Sequence, residues 1–282
     1  MLEMLCALPC PCGEEEITKK YIMQKHPECK TDEFGNLIRT IGKGNKKILV
    51  YASLDEDSLV AMEIKGSKVY FSHLGKRKIY PGQTVSFGGY TGVLQGEAED
   101  KYIELIDSED GIEVGRCGVL EGEFEGDINN EKSTLLGKNI AQRTAVSAML
   151  SVENSSCEVN FVFGVQSNHR NKGLSATVNT SDADEVLIFE ETNEESFTLK
   201  VLGKGYCASQ PLLSKAEEIL NQLNIPFVKT ADSKEQTLGE TAPWGKSLVV
   251  GIPVKFSDLI RQAIKVKTVK DVNKFIEKFV EA

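Results

Sequence analysis

The stretch EVNFVFGVQSNHRNKGLSA, residues 158–176, decides how the chain is read. Residues 159–165 form an apolar run rich in β-branched and aromatic side chains, long enough for a buried strand, and they break into the polar loop 166–172. Gly173 and Leu174 then open a short helical segment. A buried strand passing through a loop into a helix is the unit of an open α/β sheet, whose working residues stand at the carboxyl ends of its strands. Ser167, Asn168 and His169 therefore belong to any chemical site this chain has. Neither Ser167 nor Asn168 is a good metal ligand or a general acid or base.

The same texture continues outward. KILVYA, residues 47–52, is a second buried strand and ends in the polar cluster Ser53-Leu54-Asp55-Glu56-Asp57. Residues 139–152 have helical spacing through Ile140, Ala141, Thr144, Ala145, Ala148 and Met149, and predict a helix packed on the sheet. Strands are expected at 185–189, 197–202, 227–230 and 247–252, with an amphipathic helix at 211–223 ended by Asn224-Ile225-Pro226. Near the start, residues 14–25 place acids before lysines, as the helix dipole favours, and Gly35-Asn36 marks a hairpin turn between strands at 29–32 and 37–41. Two helices are expected to close the chain. The last begins at a capping box of Thr268 and Asp271 and buries Val272, Phe275, Ile276 and Phe279.

Between residue 58 and about residue 136 helical spacing disappears. Short β-type runs at 59–64, 68–71, 84–87, 92–95, 102–106 and 118–121 alternate with Gly-rich turns, the pattern of a small barrel or sandwich. The expected organisation is an α/β domain made of residues 1–57 and 137–282, interrupted by a β domain at 58–136.

Composition narrows the function. A chain of 282 residues, 40% of them hydrophobic, buries a substantial core as one domain with an insertion or as two domains. A net charge of −9 and a pI near 5.1 argue against nucleic-acid and anionic-membrane partners, which need a concentrated basic face. The short basic patch Lys76-Arg77-Lys78 reads as a solvated turn. No apolar run reaches the length of a membrane span, and MLEMLCALPCPCG lacks the features of a signal peptide, so the expected compartment is the cytoplasm. Seven scattered cysteines fit reduced thiols. Cys10 and Cys12, one proline apart, lack zinc-knuckle spacing and are expected to line the turn before the first helix. A thiol-dependent activity through Cys207 with His169, or through Cys10, is a separate reading that requires an activated thiolate.

The strand ends and helix starts read in order YASLDED (51–57), KNIAQR (138–143), VQSNH (165–169), LIFEET (187–192), LGETAPWG (238–245) and GIPVKFSD (251–258). In order and spacing these motifs resemble those of the glutamyl and deblocking aminopeptidase family, self-assembling cytosolic exopeptidases with two metal ions per site. LPCPCGEEE, FGNLI, IYPGQTV and LGKG extend the similarity over nearly the whole chain. The resemblance implies a zinc-exopeptidase-like three-layer α/β/α domain with an inserted small β-barrel-like domain.

The departures carry the functional expectation. The family's first His ligand falls on Ser53, with its orienting Asp retained as Asp55, and the bridging Asp falls on Ala141. The adjacent glutamates, general base then ligand, fall on Ser167 and Asn168. The terminal Asp ligand falls on Glu190 or Glu191, and the last His on Asp258. Two nearby divalent ions are held only by a shared carboxylate and several charged or imidazole ligands, and hydrolysis needs a carboxylate to relay the proton. Of the three histidines, His26 ends the first helix, His73 lies in the β insertion, and His169 is expected to hydrogen-bond the backbone of its loop. Two arrangements of the remaining acids stay open. Asp55, Glu190, Glu191, Glu240 and Asp258 hold one divalent cation such as Mg²⁺, Ca²⁺ or Mn²⁺, or Asp55 and Glu190 pair with Arg143 or Lys138 and fill the site. The expected protein is a family member with its di-metal site dismantled, inactive or very weak in hydrolysis, and acting as a peptide-binding or assembly subunit. The alternative is an active aminopeptidase with a rearranged acidic single-metal site. The resemblance also implies a homo-oligomer, a dimer or larger.

Overall fold

The strand read first, β11 (Glu158–Gly164), lies inside a nine-stranded sheet, parallel to β3 (Lys47–Ser53) on one side and antiparallel to β2 (Leu37–Ile41) on the other. Beyond β3 come β12 (Glu185–Thr192) and β16 (Ser247–Pro253), both parallel, then the antiparallel β13 (Phe197–Gly203). β1 (Lys30–Thr31) borders β2, while β14 (Tyr206–Cys207) and β15 (Phe227–Ala231) both pair with β13. The computed structural model describes residues 1–97, 100–106, 111–169, 171–243 and 245–281; Arg170 of the central loop and Trp244 of the LGETAPWG motif fall outside them.

Alternation along each strand divides the core in two. Ile48, Val50 and Ala52 of β3 face one side with Phe161, Phe163 and Phe189, under α1 (Leu2–Ala7), α2 (Glu16–Lys25), α3 (Ile140–Ser151), α5 (Gln210–Gln222) and α6 (Val266–Glu281). Leu49 and Tyr51 face the other side with Val162, Ile188 and Leu174 of α4 (Lys172–Thr180). This is the three-layer α/β/α arrangement the motifs implied. α6 shows how pattern becomes burial. Val269, Val272, Phe275, Ile276, Phe279 and Val280 form one buried stripe, and each fully buried side chain of this size is worth roughly 1.5–3 kcal/mol.

Six strands, β4 (Ser58–Lys65), β5 (Lys68–Leu74), β6 (Thr84–Ser86), β7 (Thr91–Gln95), β8 (Tyr102–Leu105) and β9 (Cys117–Leu120), close into a barrel in the order β4-β5-β8-β7-β6-β9. The barrel has a core of its own, including Leu59, Val69, Val85, Leu94 and Ile103. The chain returns to the sheet through β10 (Thr134–Lys138), which pairs with β17 (Arg261–Lys265) in a separate two-stranded ladder.

β17 corrects the expectation of two C-terminal helices. RQAIK is a strand because β10 offers it an antiparallel partner, Leu135 opposite Ile264, and a single helix follows. Nor does Thr268 begin that helix. α6 already runs from Val266, and Asp271 pairs with Lys267 at 2.6 Å instead of reaching back to a cap. No helix among the described residues is long and apolar enough to cross a membrane.

Candidate functional site

The carboxyl ends of β3, β11 and β12 meet at one edge of the sheet, where register sets Ser53 beside Gly164. Gly164 is required there: a Cβ would lie 2.0 Å from the Tyr51 hydroxyl, which instead meets Ser167 Oγ at 2.8 Å. The left-handed Gln166, φ +52°, turns the following loop so that three successive N–H groups point at carboxylates. Gln166 donates to Glu15 Oε1 at 3.0 Å, Ser167 to Asp55 Oδ1 at 2.9 Å and Asn168 to Asp55 Oδ2 at 2.8 Å. Asp55 is 1% exposed, and burial pushes its carboxyl up to about 6 despite those amide bonds. Ligand atoms of Cys12, Glu15 and Asp55 lie within 4.8 Å of one another, the one grouping of that kind among the described residues.

Beside this pocket of amides, Gln142 staples two strands: its Oε1 accepts from Ser53 N–H and its Nε2 donates to Phe189 O, both at 3.0 Å. Ala141, its neighbour on α3, is 0% exposed and part of the apolar core.

On the other side of these strand ends the acids meet cations. Arg77 reaches in from the turn after β5 and binds Asp57 Oδ1 through Nη1 at 2.6 Å, with Nη2 2.8 Å from Glu191 Oε2 and 3.0 Å from Asn139 Oδ1. Its own N–H donates to Asp57 Oδ2 at 2.8 Å. Gly75 makes this approach possible, since a Cβ there would sit 2.2 Å from the Asp57 carboxylate. Burial opposes ionisation of Asp57, but the His73 imidazole, 3.4 Å away, and the Arg77 guanidinium outweigh it and hold the carboxyl near 2. Glu191, also buried, is likewise held below its ordinary value by Arg77, Lys76 and Gln262. Lys76 Nζ is 2.9 Å from Glu191 Oε1, and Lys78 Nζ is 2.7 Å from Asp258 Oδ2.

Of the triplet Lys76-Arg77-Lys78, the two lysines are exposed as a solvated turn requires, but Arg77 is buried and corrects that expectation. Each of its members pairs with an acid outside the barrel strands, Lys76 with Glu191, Arg77 with Asp57 and Glu191, and Lys78 with Asp258. The expected pairing of Asp55 and Glu190 with Arg143 or Lys138 is also corrected. Glu190 accepts from Thr237 Oγ1 at 3.0 Å and Leu238 N–H at 3.1 Å and pairs with Lys200, which itself pairs with Glu235 at 2.6 Å. Lys138 goes to Glu56, 3.2 Å away. Arg143 is buried facing Cys10, Glu56 and Cys6, and makes no ion pair among the described residues. Backbone amides are nearer to Asp55 than any cation because its strand end abuts the 166–168 turn.

Among the described residues, no three of Asp55, Glu190, Glu191, Glu240 and Asp258 come within reach of one ion. His73 is closer to the cleft than its place in the β insertion implied. His26 lies 3.4 Å from Glu28, and His169 is exposed, its N–H bonded to Gln166 O. The thiol readings lose their geometry. Cys10 is 0% exposed with its thiol driven up to about 12 by burial, and Cys207 sits on β14, at the far end of the sheet from β11. Residues that sequence reasoning passed over include Glu15, Arg77, Gln142, Lys200 and Asn36. The buried Asn36 ties Val165 N–H to Gly173 O across the central loop. A lysine at an inward position of FTLKVLG was a readable sign that a buried carboxylate waits nearby. Two open surface depressions, of about 240 and 300 Å³, lie elsewhere: one above Ile38, Leu49 and Val162, the other beside Glu277 and Glu281.

The chain matches no protein-family profile. A curated protein of Acetivibrio thermocellus described as "Putative aminopeptidase" is 25% identical over an alignment of 313 positions, gaps included, that covers 96% of this chain and 93% of that protein. Among solved structures, an aminopeptidase from the archaeon Desulfurococcus kamchatkensis superposes with a TM-score of 0.86 at 19% identity, covering 99% of this chain and 93% of its own. The TET1 peptidase of Pyrococcus horikoshii, which can assemble into a tetrahedron or a large octahedral shell, gives 0.83 at 18% identity, with 99% and 98% covered. An endoglucanase of Thermotoga maritima gives 0.82 at 20% identity, with 100% and 96% covered.

Proposed function

We propose that this protein is kin to the self-assembling aminopeptidases that it resembles in fold, keeps their architecture without their di-metal chemistry and acts as a peptide-binding or assembly subunit. The observation that supports this reading is the state of the acids. Every carboxylate that falls at or beside an expected ligand position is already engaged by the protein itself: Asp55 by two backbone N–H groups, Glu190 by Lys200, Glu191 by Arg77, Asp258 by Lys78. A pair of divalent ions needs an anionic bridge between them, and the bridging position is Ala141, whose side chain has no donor atom. Ser167 and Asn168 supply no group to take a proton from water near neutral pH. The residues present therefore do not fit a di-metal centre, and no hydrolytic step is derived through one. A single ion at Cys12, Glu15 and Asp55 would have to displace amide donors from Asp55 and from Glu15 Oε1.

Residues 1–57 and 137–282 on this reading form the α/β domain and 58–136 the inserted barrel domain. The protein assembles with copies of itself, as the Pyrococcus peptidase does, in the cytoplasm, where its cysteines stay reduced. A panel of aminoacyl-anilides and short peptides, assayed with added Zn²⁺, Co²⁺ or Mn²⁺ and with chelator, tests the central part. No chelator-sensitive turnover is expected, whereas turnover that appears with metal and vanishes with chelator would overturn the proposal.

A further inference from the structure

The barrel is joined to the sheet at two crossings, and one side chain touches both. Asp57 is the last residue before β4 carries the chain into the barrel, and Asn139 is the first after β10 brings it back. Arg77, at the end of the barrel's first hairpin, binds Asp57 through Nη1 and Asn139 through Nη2, and the same Nη2 reaches Glu191 at the end of β12. Asn139 is itself held: it is left-handed at φ +48°, heads α3, and donates from Nδ2 to Asp55 O at 3.0 Å. Three points that define how the barrel sits on the sheet thus converge on one guanidinium.

We propose that Arg77 is the pin that fixes the orientation of the barrel, clasping both crossings and the end of a central strand. Other polar links cross the same junction, but those of Lys76, Lys78 and Arg116 are wet on at least one side, and His73, 3.4 Å from Asp57, is charged only when protonated. Lys78 and Asp258 are 62% and 54% exposed, and Arg116 and Glu14, 3.3 Å apart, are 47% and 31% exposed. Exposed pairs of this kind add little. Arg77, Asp57 and Glu191 have side chains only 5%, 1% and 7% exposed, and removing one partner of a desolvated set leaves the others uncompensated. A fork of parallel N–H groups is also what a three-point clasp requires; an ammonium offers no fixed plane. The inference rests on this geometry alone, so it stands or falls separately from the absence of hydrolysis.

Hydrogen exchange on the full chain tests it. In Arg77→Met the junction amides should exchange faster by about tenfold or more. These are the N–H groups of residue 77, of Lys78, which donates to Asp258 O, and of Cys117, which donates to Glu14 Oε1. Peptides covering β5 and β8 inside the barrel, and β3 and β11 inside the sheet, should keep their protection. Arg77→Lys should fall between, and Lys78→Ala should match the wild type. Junction amides as protected in Arg77→Met as in the wild type would overturn the proposal. Loss of protection through the barrel core would overturn it too, because Arg77 would then hold up the barrel and not its attachment.

Discussion

Asp55 and Asp57 stand two residues apart at one strand end, both buried, and their carboxyls are driven in opposite directions: up to about 6 for the first, down to about 2 for the second. The difference lies in what each half of the cleft supplies. On the Asp55 side the donors are neutral amides and the neighbours are another carboxylate and a thiol, so desolvation wins. On the Asp57 side a guanidinium and an imidazole converge, and attraction outweighs the same desolvation. Asp57 and Glu191 are kept ionised by cations of their own chain, and for these two acids the cations come from the barrel side.

The largest expected effect breaks the cationic half outright. Arg77→Met leaves Asp57 and Glu191 buried without their shared partner, which should weaken the coupling of barrel to sheet by roughly 3–5 kcal/mol. Urea unfolding followed at reporters in both domains should separate into two transitions; a single unshifted transition would count against the account.

The next sharpens the contrast by pH. Asp57, lowered from 3.8 to about 2, contributes stability that is present above pH 4 and lost as pH falls towards 2. Asp55, raised from 3.8 to about 6, contributes stability that is present below pH 4 and lost as pH rises through 6. Each limb is worth about 2–3 kcal/mol, since one pKa unit corresponds to about 1.4 kcal/mol. Asp57→Asn should flatten the acid limb and leave the limb between pH 4 and 6 in place, as measured by denaturant midpoints across the range. Loss of both limbs together would mean that the halves titrate as one unit.

Glu190→Gln asks for less, because Lys200 keeps its pairing with Glu235 and the amide still accepts from Thr237. A loss of about 1–2 kcal/mol is expected in the same assay. Lys78→Ala should leave stability unchanged within error, its pair being open to solvent.

Much of this was legible in the sequence for a local reason. All six barrel strands announce themselves as short alternating runs between turns, and the buried strands 47–53 and 158–164 as apolar runs ending in polar loops. The neighbourhood of Ser53, Gly164 and Phe189 followed from strand ends and the start of α3, where register and Gln142 bring them together. What the sequence hid depends on distant partners. RQAIK becomes a strand only because residues 134–138 lie alongside it. The charge of Arg77 says nothing about acids 20 and 114 positions away until the barrel folds its turn over them. Gly75, whose Cβ would strike Asp57, is the local trace of that approach, and it looked like any other turn glycine.

Metal stoichiometry tests the central claim most directly. The full chain is equilibrated with excess Zn²⁺, dialysed against metal-free buffer and assayed for zinc per polypeptide, beside an Arg77→Met, Lys200→Met double variant. The account predicts no stoichiometric zinc retained by the native chain, its acids being occupied by its own backbone amides, lysines and arginine. Two equivalents held by the native chain would contradict it.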